Sequence, residues 1–232
     1  VSIWKYLFNL EERRNWWTRK MPDGPLRDYY ETPFPARDID WRQVDYLAID
    51  FETTGLEASQ DQILSVGYTT VRGDRLVLGD ATHILIRPTV DIPEASAVVH
   101  GILDDRAAEA QPLDEVLPTI LHALKGKALL AHHAAIEYEF LNHACQNLYG
   151  YPFLCPVVDT LALEVRQFRM QDQAIRSGDL RLAKARTRYG LPRYPAHNAL
   201  TDALAAGELF LAQVAYRRTK RSLQLKDLIV VS

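Results

Sequence analysis

From residue 41 onward the apolar positions switch repeatedly between two spacings, and alternating strand-like and helix-like segments of this kind predict an α/β domain. Tyr46-Leu47-Ala48-Ile49-Asp50-Phe51 is a short apolar run of the sort found in a buried central strand. Two β-rich stretches, 63–71 and 75–87, flank Arg72-Gly73-Asp74, which predicts a hairpin. Leu113, Val116, Leu117, Ile120, Leu121 and Leu124 recur at the 3.6-residue period of an amphipathic helix over 112–124, and Gly126 stops it. Ala128-Leu129-Leu130-Ala131 reads as another buried strand, followed by a helix running towards Tyr149-Gly150. Val157-Val158 supplies a last strand, and Leu200, Ala203, Leu204, Gly207, Phe210, Leu211 and Val214 line one stripe of a final helix.

The first 40 residues have a different texture. Trp4, Tyr6, Phe8, Trp16, Trp17, Tyr29, Tyr30 and Phe34 make them aromatic, and Pro22, Pro25, Pro33 and Pro35 punctuate their second half. The early part reads as a short helix and the proline-bearing part as extended chain. Aromatic residues at this density rarely stay in water, so the arm is expected to dock on the main domain, with a protein partner as the alternative. The chain therefore divides into an arm (1–40), a main domain (41–217) and a tail (218–232).

Composition narrows the class. Of the 232 residues, 47% are hydrophobic and 25% charged, which is the balance of an ordinary globular protein with a real core. No apolar run is long enough to span a bilayer, so no membrane association is expected. The two cysteines, Cys145 and Cys155, form no Cys-x-x-Cys pair, and a reduced, cytoplasmic setting is expected. The net charge of −3 is not that of a protein that coats duplex nucleic acid. Yet Arg166, Arg169, Arg176, Arg181, Lys184, Arg186, Arg188 and Arg193 face only Asp172 and Asp179 within 166–193, a local +6 on a body of −9. Such a face suits gripping a short single-stranded end; for any one residue a solvated helix surface is an equal reading.

Three clusters carry chemistry. In Asp50-Phe51-Glu52-Thr53-Thr54-Gly55, strand alternation sends Asp50 and Glu52 to one side and Phe51 into the core. Paired carboxylates at a strand end are costly unless a cation neutralises them. Alone, the pair reads equally well as a surface feature. In His132-His133-Ala134-Ala135-Ile136-Glu137, a strand ends at the histidines and Glu137 falls in the first turn of the following helix. A zinc site of these histidines with Cys145 is disfavoured, because adjacent residues of an extended segment point opposite ways. In His197-Asn198-Ala199-Leu200-Thr201-Asp202, Asn198 is an N-cap. His197 then stands outside the helix, where a histidine beside carboxylates can accept a proton near neutral pH.

Together these segments resemble the DEDDh 3′→5′ exonucleases, the family of polymerase proofreading subunits, RNase T and oligoribonuclease. The family's motifs run Asp-x-Glu-Thr-Thr-Gly, His-Asn-Ala-x-Phe-Asp and His-x4-Asp, and here they fall at 50–55, 132–137 and 197–202, in order. Val99-His100-Gly101-Ile102 and Val158-Asp159-Thr160-Leu161 also resemble family segments, and the likeness covers 41–217. It departs from the pattern at Glu137, where the family has Asp, and at His133 and Ile136.

The resemblance implies a ribonuclease-H-like fold: a five-stranded mixed sheet flanked by helices, with the site at the carboxyl end of the first strand. It implies a metal-dependent nuclease that releases nucleoside 5′-monophosphates from the 3′ end of single-stranded DNA or RNA. Asp50, Glu52, Glu137 and Asp202 would hold two Mg²⁺ or Mn²⁺ ions, with His197 as general base. Thr53, Thr54, Gly55, Leu56 and His100 would hold the terminal nucleotide, the amides around Thr53 and Thr54 meeting its 3′-OH. Asp159 is left as a helix cap. A binding module that kept the fold and lost turnover through Glu137 is the rival expectation.

Overall fold

The structure, a computed structural model, describes residues 9–89, 109–195, 198–217 and 222–230. Its centre is a five-stranded sheet built from β1 (Asp45–Thr53), β2 (Ile63–Arg72), β3 (Arg75–Leu85), β4 (Ala128–Ala131) and β5 (Val157–Asp159), in the order β3-β2-β1-β4-β5. β2 is antiparallel to both neighbours, while β4 and β5 run parallel to β1. Gly73, at φ +60°, makes the tight turn of the β2–β3 hairpin, a conformation that costs glycine nothing.

Strand parity divides the core. Leu47, Ile49, Phe51, Leu129 and Ala131 face helices α3 (Leu113–Leu124) and α4 (Ala135–Tyr149). Tyr46, Ala48, Leu130 and Val158 face α5 (Thr160–Met170) and α7 (Ala199–Tyr216), where Phe210 and Val214 pack against them. Asp50 and Glu52 continue the Tyr46–Ala48 row, so they emerge on the α7 side. The short helix α6 (Leu182–Arg188) precedes α7.

The arm contains α1 (Leu10–Thr18) and α2 (Pro25–Glu31), the second of which corrects the expectation of extended chain. Pro25 occupies the first helical turn, where its missing N–H costs nothing and its fixed φ favours the helix. Tyr29 and Tyr30 are fully buried and donate their hydroxyls to the carbonyls of Leu154 (3.0 Å) and Pro152 (2.7 Å). Tyr29 also stacks on Phe153. The described aromatics of the arm thus turn largely inward; Trp16 is the exception, 39% exposed with Lys20 over its ring. In the tail, Leu225 and Lys226 donate backbone N–H groups to Ile39 and Arg37, and Val230 donates to Val157 on the free side of β5. Among the described residues no helix is long and apolar enough to cross a membrane.

Candidate active site

The site forms where β1 ends. α7 reaches it because Asn198 caps the helix, its side chain accepting from Thr201 N (3.1 Å). The sheet lets the helix approach through Gly67, the β2 residue paired with Asp50. A Cβ on Gly67 would overlap the backbone of Ala199 and Leu200. One turn further, Asp202 meets β1: ligand oxygens of Asp50, Glu52 and Asp202 all lie within 4.8 Å of one another. Glu137 comes from α4 on the neighbouring connection and is buried, and its Oε2 has no hydrogen-bond partner among the described residues.

The electrostatics of this cluster are unfavourable for protein alone. Burial, then the charges of Glu137, Asp202 and Glu52, push the Asp50 carboxyl well above the usual range. Burial and the neighbouring Asp202 push Glu52 up to about 7. Burial pushes Glu137 up to about 8, with Asp159 adding to the rise and the amides of Glu137 and Phe51 opposing it. Carboxylates gathered this tightly in a partly desolvated cleft share protons or hold cations. A donor set made only of carboxylate oxygens suits hard divalent ions such as Mg²⁺ or Mn²⁺, not the softer metals. The orphaned Oε2 of Glu137 fits the same requirement.

Around the cluster the chain is tightly buttressed. The turn after β1 folds over Asp61, which accepts from Thr54 Oγ1 (3.0 Å) and from the Glu57 amide (2.8 Å). A Cβ on Gly55 would meet that carboxylate, which would have to shift and give up its bonds to the turn. The Thr54 amide already donates to the Gln62 carbonyl (2.9 Å), so it is not the free donor expected from the sequence. Thr53 Oγ1 turns back to Gly55 O (2.6 Å), and Leu56 stands 72% exposed beside them.

On the other flank, His132 bridges Thr160 Oγ1 and the Leu180 carbonyl, each at 2.8 Å. A carbonyl only accepts, so Nε2 carries the proton and Nδ1 takes the hydroxyl's. Burial holds the His132 pKa down, consistent with a neutral, structural ring. Asp159 caps α5 through Leu161 N (2.8 Å) and pins His133 N (2.9 Å), whose φ is +73°. The loop before α7 is tied by buried Arg186, which donates to the carbonyls of Ala205 and Pro192 and to Glu208 Oε2 (2.7 Å). Tyr194 closes the tie by donating to Glu208 Oε1 (2.8 Å). His197 and His100 lie outside the described residues.

Sequence reasoning missed Gly67, Asp61 and the Arg186–Glu208 tie. Only Gly67 left a trace, as a lone glycine inside a strand, which marks close approach by another backbone. Gly67→Ala is expected to destabilise the protein by about 1–3 kcal/mol, the usual cost of overpacking, and to lower activity by displacing Asp202. Urea unfolding beside an activity assay checks this, and an unchanged midpoint would show that α7 can yield.

A mixed sheet of this order, flanked by helices and with an acidic cluster at the end of β1, has the ribonuclease-H-like fold. The chain belongs to the exonuclease family, whose RNase T model matches residues 47–210. Among relatives, the DNA polymerase III subunit epsilon of Treponema pallidum (strain Nichols) is 31% identical over 173 residues, covering 75% of this chain and 78% of the relative. The DNA polymerase III PolC-type of Thermotoga petrophila is 30% identical over 174 residues, where the chain spans only 12% of that protein's length. In fold, the nuclease domain of 3′hExo, a DEDDh family member solved bound to rAMP, superposes with a TM-score of 0.63 at 18% identity, covering 76% of this chain and 94% of that one.

Proposed function

We propose that this protein is a metal-dependent 3′→5′ exonuclease that hydrolyses the terminal phosphodiester of a single strand and releases nucleoside 5′-monophosphates. The observation that carries the reading is the convergence of Asp50, Glu52 and Asp202 oxygens within 4.8 Å, with buried Glu137 beside them. These four residues would hold two divalent ions, Mg²⁺ or Mn²⁺. Bound there, such ions neutralise the carboxylates and stabilise charge on the attacking and leaving oxygens of a displacement.

The chain's own residues do the rest. His197 accepts the proton of the attacking water from its place just ahead of the α7 cap. The Thr53–Gly55 turn, held rigid by Asp61, orients the terminal 3′-OH, and exposed Leu56 packs on the last base. His100 joins the same subsite. An apolar contact reads no base edge, so little sequence preference is expected. The relatives named as DNA polymerase III components favour DNA as the strand.

Digestion of matched 3′-labelled DNA and RNA strands in Mg²⁺, Mn²⁺ or EDTA tests the reading; release of mononucleotides in EDTA, or none with either metal, would overturn it. Glu137 offers a sharper probe. If its charge completes the site, Glu137→Gln loses far more activity than Glu137→Asp, and Mn²⁺, whose geometry is less strict, recovers part of the loss. Full activity in Glu137→Gln would assign the residue to the helix alone and leave the fold without its fourth acid.

A further inference from the structure

The basic stretch that runs into α6 is held at the end of β4, the strand next to β1, and three of its cations are uncommitted. β4 pairs with β1 from Tyr46↔Ala128 to Ala48↔Leu130, and His132 directly follows the end of β4. His132 shares the parity of Leu130, which faces the α7 side as Asp50 and Glu52 do. Its bond to the Leu180 carbonyl therefore ties residue 180 to the end of β4, the strand next to the one that carries Asp50 and Glu52.

The backbone there is compact. Asp179 N donates to Arg176 O (3.1 Å), its carboxylate takes Arg176 N (2.8 Å), and Arg181 N donates to Gly178 O (3.2 Å). Arg188 clamps the turn from beneath, donating to the Asp179 carbonyl (2.8 Å) and to buried Glu164 (2.7 Å). Arg188 and Arg186 are thus consumed by internal partners. Arg176, Arg181 and Lys184 are exposed, and none has an ion-pair partner among the described residues. Lone cations on a braced backbone, one strand over from a cluster of opposite sign, suit a ligand that is itself anionic and long enough to reach from one to the other.

We propose that Arg176, Arg181 and Lys184 form a phosphate-binding track that holds the backbone of a single strand several nucleotides back from the end lying in the acidic cleft. This rests on the exonuclease reading for what the cleft does. The track itself asks only for a polyanion. Contacts of this kind position a strand without reading its sequence.

The test is binding of a fluorescent twelve-nucleotide oligothymidylate in EDTA, followed by anisotropy from 50 to 200 mM salt. The chain is compared with an Arg176→Ala, Arg181→Ala, Lys184→Ala triple variant. Each phosphate contact on a single strand contributes about 0.7 to the log–log salt slope. Three lost contacts flatten it by about 2, so over this range the parent loses roughly 20-fold more affinity than the variant. Arg176→Lys with Arg181→Lys keeps the slope, because point charge suffices. With Mg²⁺ present, kcat/KM of the triple variant falls more for the twelve-mer than for a dinucleotide. An unchanged salt slope, or equal losses on both substrates, overturns the track. Because binding in EDTA needs no turnover, a parent that binds with the full slope yet never hydrolyses the strand would sink the proposed activity and leave the track standing.

Discussion

Asp50→Asn abolishes hydrolysis and, in the metal-free protein at pH 8, raises the unfolding midpoint. Both effects come from the same crowding. Asp50 sits between Glu137, Asp202 and Glu52, whose charges and burial push its carboxyl well above the usual range, while Glu52 rises to about 7 and Glu137 to about 8. A carboxyl raised on folding favours the folded state fully below its unfolded value near 4.5, and that stability drains away as pH climbs through the folded value. Each pKa unit is worth about 1.4 kcal/mol, and about 1 kcal/mol moves the midpoint of a chain this size by roughly 2–4 °C. The metal-free parent is therefore expected to melt several degrees lower at pH 8 than at pH 5.5. Saturating Mg²⁺ at pH 8 restores the difference by binding the folded state. Asp50→Asn flattens the pH dependence and gains little from Mg²⁺. Thermal melts at both pH values, with EDTA or Mg²⁺, check the pattern. A parent insensitive to both pH and metal would mean the acids are relieved some other way.

His197→Ala is expected to lose about 10²–10⁴-fold in kcat, the usual worth of a positioned general base, while ground-state binding of the strand changes little. Asn198 caps α7, and the Asp202 amide donates back to Asn198 O at 2.9 Å, so the acid and the cap residue that follows His197 in sequence share one turn. Upstream, Arg186 and Glu208 anchor Pro192 and Tyr194. The described residues up to Tyr194 and from Asn198 onward are thus held by internal partners. Single-turnover rates across pH make the check: the variant should lose the acid limb of the profile along with the rate. Turnover equal to the parent at neutral pH would send the proton to another acceptor.

How far this was legible from the chain depends on the range of the interactions. Asp50 and Glu52 sharing a face follows from strand parity, Glu137 in a first turn follows from the strand ending at His132, and Asn198 as a cap follows from its side-chain chemistry. All are local rules. Asp159 as a cap was legible for the same reason, though its second bond to His133 was not. Gly67 acquires meaning only once α7, more than a hundred residues later, is known to land on it. The tie between Arg186 and Glu208 joins two helices across a loop, and no periodicity announces it. Pro25 shows the converse: the local rule existed, since proline opens helices as readily as it breaks them, but counting four prolines together masked it. Thr54 was expected to offer its amide, and lost it to Gln62 through a pairing that needs the turn's geometry to be seen.

The docked arm also makes the chemistry of the two thiols a report on its own seating. Cys145 and Cys155 are free and buried, and burial pushes both up to about 12. Tyr29 and Tyr30 of α2 belong to the same buried apolar cluster as those sulfurs. A thiol reagent reacts with the thiolate, so both cysteines are silent twice over: sealed from the reagent and kept protonated at neutral pH. Labelling kinetics then read how often that cluster, with the arm's tyrosines in it, opens. Because the chain has only these two cysteines, the clock needs no engineering, and a substitution that loosens the arm would be heard as faster labelling long before the sheet itself gave way.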